Sequence, residues 1–185
     1  MSFIGKKTIF MSPTILVQRR NNFLIFKGQF GVLKIKVDIF LNINFFRNAL
    51  YFSPLETKWK SSSGFKSKWG TLRSRIFQIV QGIYKLHFLK MKFIGVGYKA
   101  SLKKNILIFR LGFAHKIYAK LPNNIVIKKI KKRPPTFFIK SYDLNSLKTT
   151  AFLIRSFKKP EPYKGKGILL SNEFIKIKEG KKTKK

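Results

Sequence analysis

Short apolar runs rich in β-forming residues, separated by polar and glycine-containing segments, predict β-strands in about the first fifty positions. Two β-rich runs, residues 23–26 and 32–37, are joined by a segment with two glycines, which favours a hairpin turn. Further runs of the same kind lie at residues 13–17, 39–46 and 49–52. An antiparallel meander is the simplest way to pair strands that follow one another this closely.

The spacing of apolar residues becomes helical after the Ser-Ser-Ser-Gly segment at 61–64. The positions that fall on one helical face are Trp69, Leu72, Ile76, Ile79, Val80 and Ile83. Such a stripe is typical of an amphipathic helix. We therefore expect a helix of about four turns that packs its stripe on the strands.

Strands followed by one helix recur in the second half of the chain. Residues 105–110 read Asn-Ile-Leu-Ile-Phe-Arg and stand 83 positions after residues 22–27, Asn-Phe-Leu-Ile-Phe-Lys. The same offset places Ile117 on Lys34. Asp143 is a suitable N-cap for a second helix. The apolar face of that helix would consist of Leu144, Leu147, Ala151 and Ile154.

These patterns predict an α+β fold of two tandem duplicated domains, each an antiparallel β-sheet packed against one main α-helix. We place the N-terminal domain at residues 1–82 and the second domain at residues 83–168. A basic C-terminal extension then occupies residues 169–185.

The charge of the chain indicates what it binds. There are 41 Lys and Arg against 6 Asp and Glu, a net charge of +35, while 44% of the residues are hydrophobic. The chain can therefore build a core, but its surface requires an anionic partner. A folded nucleic acid and a membrane surface are the candidates. Cations crowd at residues 128–133 and 155–185, so the second domain is the expected anion-facing half.

Residues for catalysis or metal binding are scarce. The chain has no cysteine, two histidines, His87 and His115, and six scattered carboxylates. A catalytic triad would need one of these histidines with Asp38 or Asp143, and no nucleophile-elbow pattern accompanies them. We expect no enzyme activity, metal site, cofactor or small-molecule substrate. His87 is predicted in a strand and His115 in a turn.

Residues 95–100, Gly-Val-Gly-Tyr-Lys-Ala, match the glycine pattern of dinucleotide-binding folds. That chemistry requires a helix directly after the glycines, whereas here a turn and another strand are predicted. We interpret the segment as a bulged or closely packed hairpin strand, in which Gly95 and Gly97 let another backbone approach.

Residues 158–167 read Lys-Lys-Pro-Glu-Pro-Tyr-Lys-Gly-Lys-Gly. The prolines are expected to hold the backbone extended, and Gly165 and Gly167 to let it approach a partner closely. The lysines supply charge, and Tyr163 supplies a flat ring that can stack on a base. This combination fits a partner with phosphates and bases better than a small substrate; a solvated basic loop is the alternative.

Several segments resemble the ribosomal protein L6 family of the large ribosomal subunit. Residues 159–167 resemble its C-terminal signature, and residues 95–100 resemble its Gly-Val-Gly-Tyr-Arg-Ala strand. Residues 111–115, Leu-Gly-Phe-Ala-His, are similar to its Leu-Gly-Phe-Ser-His segment, and residues 4–7, Ile-Gly-Lys-Lys, to a frequent bacterial start of the family. Order and spacing agree across essentially the whole chain.

The resemblance implies a non-catalytic protein bound to large-subunit rRNA near the base of the lateral stalk and the sarcin–ricin loop, with neighbouring ribosomal proteins as further partners. In the family the second domain and the C-terminal tail make most rRNA contacts. Carried over to this sequence, the rRNA-binding residues are Lys158, Lys159, Tyr163, Lys164, Gly165, Lys166, Gly167, Gly95, Gly97, Tyr98, Lys181 and Lys182. Lysine at 158 and 159, where arginine is common, keeps the charge but loses the planar fork.

Two other functions stay open: a general nucleic-acid-coating protein without rRNA specificity, and a basic protein of membrane surfaces. No apolar run is long enough to span a bilayer, and we find no cleavable targeting segment. Abundant Lys, Phe, Ile and Asn are typical of an AT-rich genome. We therefore expect a mitochondrial ribosome and an organelle-encoded protein. Another organelle or an AT-rich bacterial cytoplasm is the alternative.

Overall fold

The computed structural model describes residues 2–37, 41–54, 64–132 and 135–180. The chain divides into two compact units. The first unit consists of Met1–Leu86 with Tyr142–Leu144, and the second consists of His87–Ser141 with Asn145–Lys185. Among the described residues, none of the helices has both the length and the apolar character that crossing a membrane requires.

The first unit is built from two helices and six strands within the described residues. These are α1 (Phe3–Lys6), β1 (Ile9–Phe10), β2 (Leu16–Arg20), β3 (Phe23–Gly28), β4 (Gly31–Lys36), β5 (Leu41–Phe46), β6 (Ala49–Pro54) and α2 (Phe65–Tyr84). The predicted single meander is wrong, because the strands form two antiparallel sheets, β1-β6-β5 and β2-β3-β4. We call β2-β3-β4 the hairpin sheet of this unit. The N–H of Val37 donates to the carbonyl of Asn22 (2.7 Å), which adds a hydrogen bond at the end of the β3–β4 pair.

Helix α2 confirms the predicted apolar stripe. Five of its six positions are buried, and Ile79 packs partly buried against the same core. The helix runs for 20 residues, longer than predicted, because it begins at Phe65, four residues before the stripe. Two glycines of this unit lie directly against buried side chains of α2. A Cβ on Gly28 would lie 2.1 Å from Cγ2 of Ile83, and one on Gly5 would lie 2.5 Å from the ring of Trp69.

Within the described residues, the second unit also combines antiparallel sheets with one long helix. Its elements are β7 (His87–Ile94), β8 (Lys99–Lys103), β9 (Ile106–Arg110), β10 (Ile117–Lys120), β11 (Ile125–Lys132), β12 (Pro135–Ser141), α3 (Leu144–Ser156) and β13 (Gly167–Leu170). The strands form a hairpin sheet, β10-β9-β8, and a four-stranded sheet, β11-β12-β7-β13. Both sheets are antiparallel, so the predicted α+β class is confirmed.

The hairpin sheets of the two units are copies of one another. Strand β9 follows β3 at the predicted offset, and Phe26 and Phe109 occupy equivalent positions with no exposed surface. The turns that precede these strands contain Asn21 and Lys104, at φ 49° and 51°.

The predicted match of Ile117 with Lys34 is off by one position. Phe109 pairs with Ile117, whereas the equivalent Phe26 pairs with Leu33. The loop before β10 is therefore one residue longer than its counterpart before β4. The match between residues 22–27 and 105–110 does not show whether the loop that follows contains an extra residue.

Helix α3 begins directly after Asp143, in agreement with the predicted start. Its buried residues are Leu147, Thr150, Ala151 and Ile154. The core beside it is aromatic: the ring of Phe109 lies 5.9 Å from the ring of Phe93, 6.4 Å from Phe137 and 5.9 Å from Phe157, centroid to centroid. This cluster joins both sheets of the unit to the segment that follows α3, where the charged sequence motif lies.

Candidate nucleic-acid interface

The Lys-Gly-rich motif forms a surface loop between α3 and β13, which we call the basic loop (residues 158–167). Both ends of the loop are held by backbone hydrogen bonds. The N–H of Ile168 donates to the carbonyl of Lys158 (3.0 Å), and β13 pairs with the central strand β7, with Ile168 opposite Phe93. The loop is therefore fixed to the core of the second unit.

The expectation that the prolines keep this segment extended is wrong, because the chain folds back on itself. The N–H of Glu161, between the two prolines, donates to the carbonyl of Lys166 (2.9 Å). The N–H of Gly165 donates in turn to the carbonyl of Glu161 (2.9 Å). Gly165 adopts φ +65°, a conformation that glycine enters without steric cost. Proline fixes its own φ, but it does not prevent its neighbours from closing a turn.

Gly167 permits a close approach, but its neighbour is the chain itself. A Cβ at this position would lie 2.6 Å from Cα of Pro160 and 2.9 Å from the carbonyl oxygen of Lys159. The φ of Gly167 is +152°. Gly167 therefore closes the base of the loop, and it does not offer the open approach to a polyanion that the sequence suggested.

The basic loop presents charge and an aromatic ring to solvent. Tyr163 is 52% exposed, and Lys159, Lys164 and Lys166 are exposed as well. Lys158 differs from them, because its side chain is half-buried and its Nζ lies 4.3 Å from the ring centroid of Phe113. A cation–π contact of this kind holds the ammonium group against the protein. Three of the four lysines of the basic loop and Tyr163 are thus exposed to solvent.

Residues 95–98 form a turn, and the predicted hairpin strand is wrong at this point. The turn connects β7 to β8, which belong to different sheets and do not pair with each other. A Cβ on Gly95 would lie 2.6 Å from the ring of Tyr98, so the glycine makes room for a side chain and not for another backbone. Gly97 adopts φ +73° at the tip of the turn. A strand follows directly, which leaves no helix to complete a dinucleotide site.

The two histidines lie where the sequence predicted. His87 is the first residue of β7. His115 lies in the connection between β9 and β10, and its ring stacks on Phe113 with 5.8 Å between centroids and an angle of 17°.

Arg155 and Glu173 form an ion pair that the sequence pattern does not predict. Arg155, in the last turn of α3, donates from Nε to both carboxylate oxygens of Glu173 (3.1 and 2.9 Å) and also from Nη2. These hydrogen bonds lower the pKa of the Glu173 carboxyl and raise the pKa of the Arg155 guanidinium. The signal in the sequence is one of two glutamates in a lysine-rich extension. The ion pair ties the segment after β13 to α3.

The C-terminal extension also contacts the basic loop. The N–H of Lys178 donates to the carbonyl of Pro162 (2.8 Å). The predicted RNA contacts Lys181 and Lys182 lie outside the described residues. In the cluster at 128–133, Lys128 is exposed on β11 just before a β-bulge, and position 133 lies outside the described residues.

Known proteins match this chain over its whole length. The family model "Ribosomal protein L6" matches residues 94–170, which include the turn after β7 and the basic loop. The large ribosomal subunit protein uL6 of Campylobacter jejuni is 37% identical over 187 residues and covers all of both chains. The uL6 proteins of Karelsulcia muelleri and Chloroherpeton thalassium are each 33% identical, with 100% and 98% of both chains covered. The chain belongs to the ribosomal protein L6 family.

Membership of the L6 family confirms two expectations from the sequence. Proteins of the L6 family are structural components and not enzymes, so this chain is not an enzyme. The two-unit α+β structure is consistent with the duplicated fold of the L6 family.

Replacing Glu173 with glutamine in this L6 protein is expected to lower the free energy of unfolding by about 1 kcal/mol at neutral pH, since a paired charge is lost at a partly exposed site. The pKa of Glu173 is lower in the folded than in the unfolded chain. The stabilisation is therefore complete above the unfolded value of about 4.3 and disappears as the pH falls through the folded value. Urea denaturation at neutral and acidic pH measures the difference. Glu179→Gln, at an exposed position, is the control; an equal loss in both variants would contradict the role of the ion pair.

Proposed function

We propose that this chain binds large-subunit rRNA through the basic loop and that it thereby holds rRNA helices in place near the stalk base and the sarcin–ricin loop. Membership of the L6 family makes it a structural protein of the large ribosomal subunit. The observation that carries the finer proposal is that Tyr163 and three lysines of the basic loop are exposed. Neighbouring ribosomal proteins are the other proposed partners.

The mechanism is electrostatic and geometric. The exposed lysines neutralise phosphates and release condensed counterions, which favours binding to any RNA. The internal hydrogen bonds of the basic loop fix its shape before binding, so little conformational entropy is lost when RNA docks. Backbone contacts of this kind set the position and orientation of a protein on RNA, and a fixed loop shape selects one folded site over others.

The double substitution Lys164→Glu/Lys166→Glu tests the proposal. We expect affinity for a large-subunit rRNA fragment to fall at least tenfold in a filter-binding assay at matched salt. The slope of log affinity against log salt should decrease by about 2 as two phosphate contacts are lost. Both side chains are exposed, so the far-ultraviolet circular dichroism should not change.

Lys27→Glu/Lys36→Glu is the matched control, because it reverses two exposed charges on the hairpin sheet of the first unit. If only the total positive charge mattered, both double variants would lose the same affinity for the rRNA fragment. An RNA site at the basic loop predicts a larger loss for Lys164→Glu/Lys166→Glu. Unchanged affinity of Lys164→Glu/Lys166→Glu would contradict the proposal. A nucleic-acid-coating protein would also bind duplex DNA and unrelated RNA as tightly as the rRNA fragment.

The proposed location is a ribosome, and within that class the mitochondrial ribosome. The similar uL6 proteins are bacterial ribosomal proteins, which supports a ribosomal location in general. The organellar assignment depends on the composition of the chain, which is typical of an AT-rich genome. Co-sedimentation of the protein with large subunits from purified mitochondria is the expected result. Its absence there, with recovery in bacterial subunits, would contradict the mitochondrial assignment.

A further inference from the structure

A second cationic surface lies on the hairpin sheet of the second unit, on the face opposite the core. Leu107 and Phe109 of β9 point into the core and are fully buried. Because side chains alternate along a strand, Ile106, Ile108 and Arg110 face outward. Together with outward residues of β8 and β10 they line a cleft of about 600 Å³, which we call the sheet groove.

The pairing register arranges the side chains of the sheet groove in rows across the strands. In the middle row, Ser101 lies opposite Ile108, and Ile108 lies opposite Tyr118. This row is uncharged, and the Tyr118 side chain is 61% exposed.

Cations occupy the rows on either side of the middle one. Lys99 lies opposite Arg110 in one row, with Lys116 beside them, and Lys103 lies opposite Ile106 in the other. On one face of a sheet, neighbouring rows are two residues apart along a strand. The two cationic rows lie on either side of the middle row, so they are four residues, or about 13 Å, apart. Among the residues that line the groove there is no carboxylate.

We propose that the sheet groove binds a single-stranded segment of RNA, with one base stacked on Tyr118 and with flanking phosphates on the two cationic rows. This inference rests on the proposed function, RNA binding, and adds a second site to the basic loop. In a duplex the base faces are hidden, whereas an unpaired base can lie on an exposed ring. Antiparallel sheets with an exposed aromatic residue between cations are a common platform for single strands.

The first unit shows that the fold alone does not produce this surface. On its equivalent hairpin sheet, the middle row is Gln18, Ile25 and Lys34, so a lysine takes the place of Tyr118. The row equivalent to Lys99 and Arg110 begins with Leu16 in place of a lysine. The second unit therefore differs from its duplicate in two ways: the middle row contains an aromatic residue, and one of the cationic rows has an additional lysine.

The test uses the full chain and a fluorescently labelled, mixed-sequence single-stranded RNA of about eight nucleotides, a length within the range that single-strand platforms cover. We expect Tyr118→Ala to weaken binding about tenfold in fluorescence anisotropy and Tyr118→Phe to bind like the unaltered chain, since stacking requires the ring and not the hydroxyl. Lys99→Glu/Arg110→Glu should weaken binding at least as much and should reduce the salt slope by about 1.4. Lys34→Ala, at the position equivalent to Tyr118, should leave binding unchanged.

The outcomes separate this inference from the proposed function. Lys164→Glu/Lys166→Glu should weaken binding of the large rRNA fragment more than binding of the short RNA. If Tyr118→Ala leaves binding of the short RNA unchanged while the basic-loop variant still weakens rRNA binding, the inference is overturned and the proposed function stands. Equal affinity for a duplex RNA of the same length, or tighter binding of polyglutamate than of RNA, would also overturn it.

Discussion

Replacing Phe109 with alanine is expected to lower the free energy of unfolding of the second unit by about 3–5 kcal/mol. Phe109 has no exposed surface and contacts the rings of Phe93, Phe137 and Phe157. Truncation therefore removes apolar burial and leaves a cavity among rings that cannot collapse together. Such a loss is a large part of the total stability of a domain, which is about 5–15 kcal/mol.

Urea denaturation of the full chain measures this effect, with tyrosine and tryptophan fluorescence and circular dichroism followed together. Phe152→Ala is the control, because this phenylalanine of α3 is 60% exposed, and we expect it to cost less than about 1 kcal/mol. Phe26→Ala, at the equivalent position in the first unit, should destabilise that unit by a similar amount. A small effect of Phe109→Ala would show that the aromatic cluster does not stabilise the second unit.

Replacing Gly167 with alanine is expected to cost about 2–4 kcal/mol and to weaken rRNA binding at the same time. The new Cβ would lie 2.6 Å from Cα of Pro160, which is backbone and cannot rotate away. The φ of +152° is in addition unfavourable for any residue with a Cβ. Either β13 or the base of the basic loop must shift, and the exposed lysines of the loop would move with it.

Gly165→Ala is the matched control for this variant. Gly165 also has a positive φ, +65°, but a Cβ there would meet no atom within 4 Å. We expect a cost of about 1–2 kcal/mol, because only the left-handed conformation is strained. Thermal unfolding and rRNA binding of the two variants, measured in parallel, separate a backbone collision from conformational strain. Equal losses in both variants would show that the approach of Pro160 to Gly167 is not what fixes the basic loop.

Much of the local structure could be predicted because it depends on neighbours a few residues apart. The stripe from Trp69 to Ile83 identified the buried face of α2, and the position of Asp143 marked the start of α3. The repeat of residues 22–27 at 105–110 identified the duplicated strand. The prediction of a single meander failed because runs of β-forming residues identify strands without stating which ones pair.

The candidate site could be predicted as a set of residues but not as a shape. Tyr163, Lys164 and Lys166 are exposed, whereas Lys158 is held over Phe113, 45 positions earlier in the chain. The contact of Gly95 with Tyr98 likewise requires a turn that joins two different sheets.

The sequence by itself determined the class of fold, the duplication, the buried helix faces, the net charge of +35 and the likeness to the L6 family. Only the tertiary structure decided how the strands divide between sheets, how the basic loop closes over Gly167, how Arg155 meets Glu173, and how the cations of β8 and β9 line one groove with Tyr118. Periodicity and composition are properties of short stretches of chain and of their solvation. Strand pairing and close backbone approach join segments that lie far apart in the sequence, and their free energy depends on the packing of the whole unit.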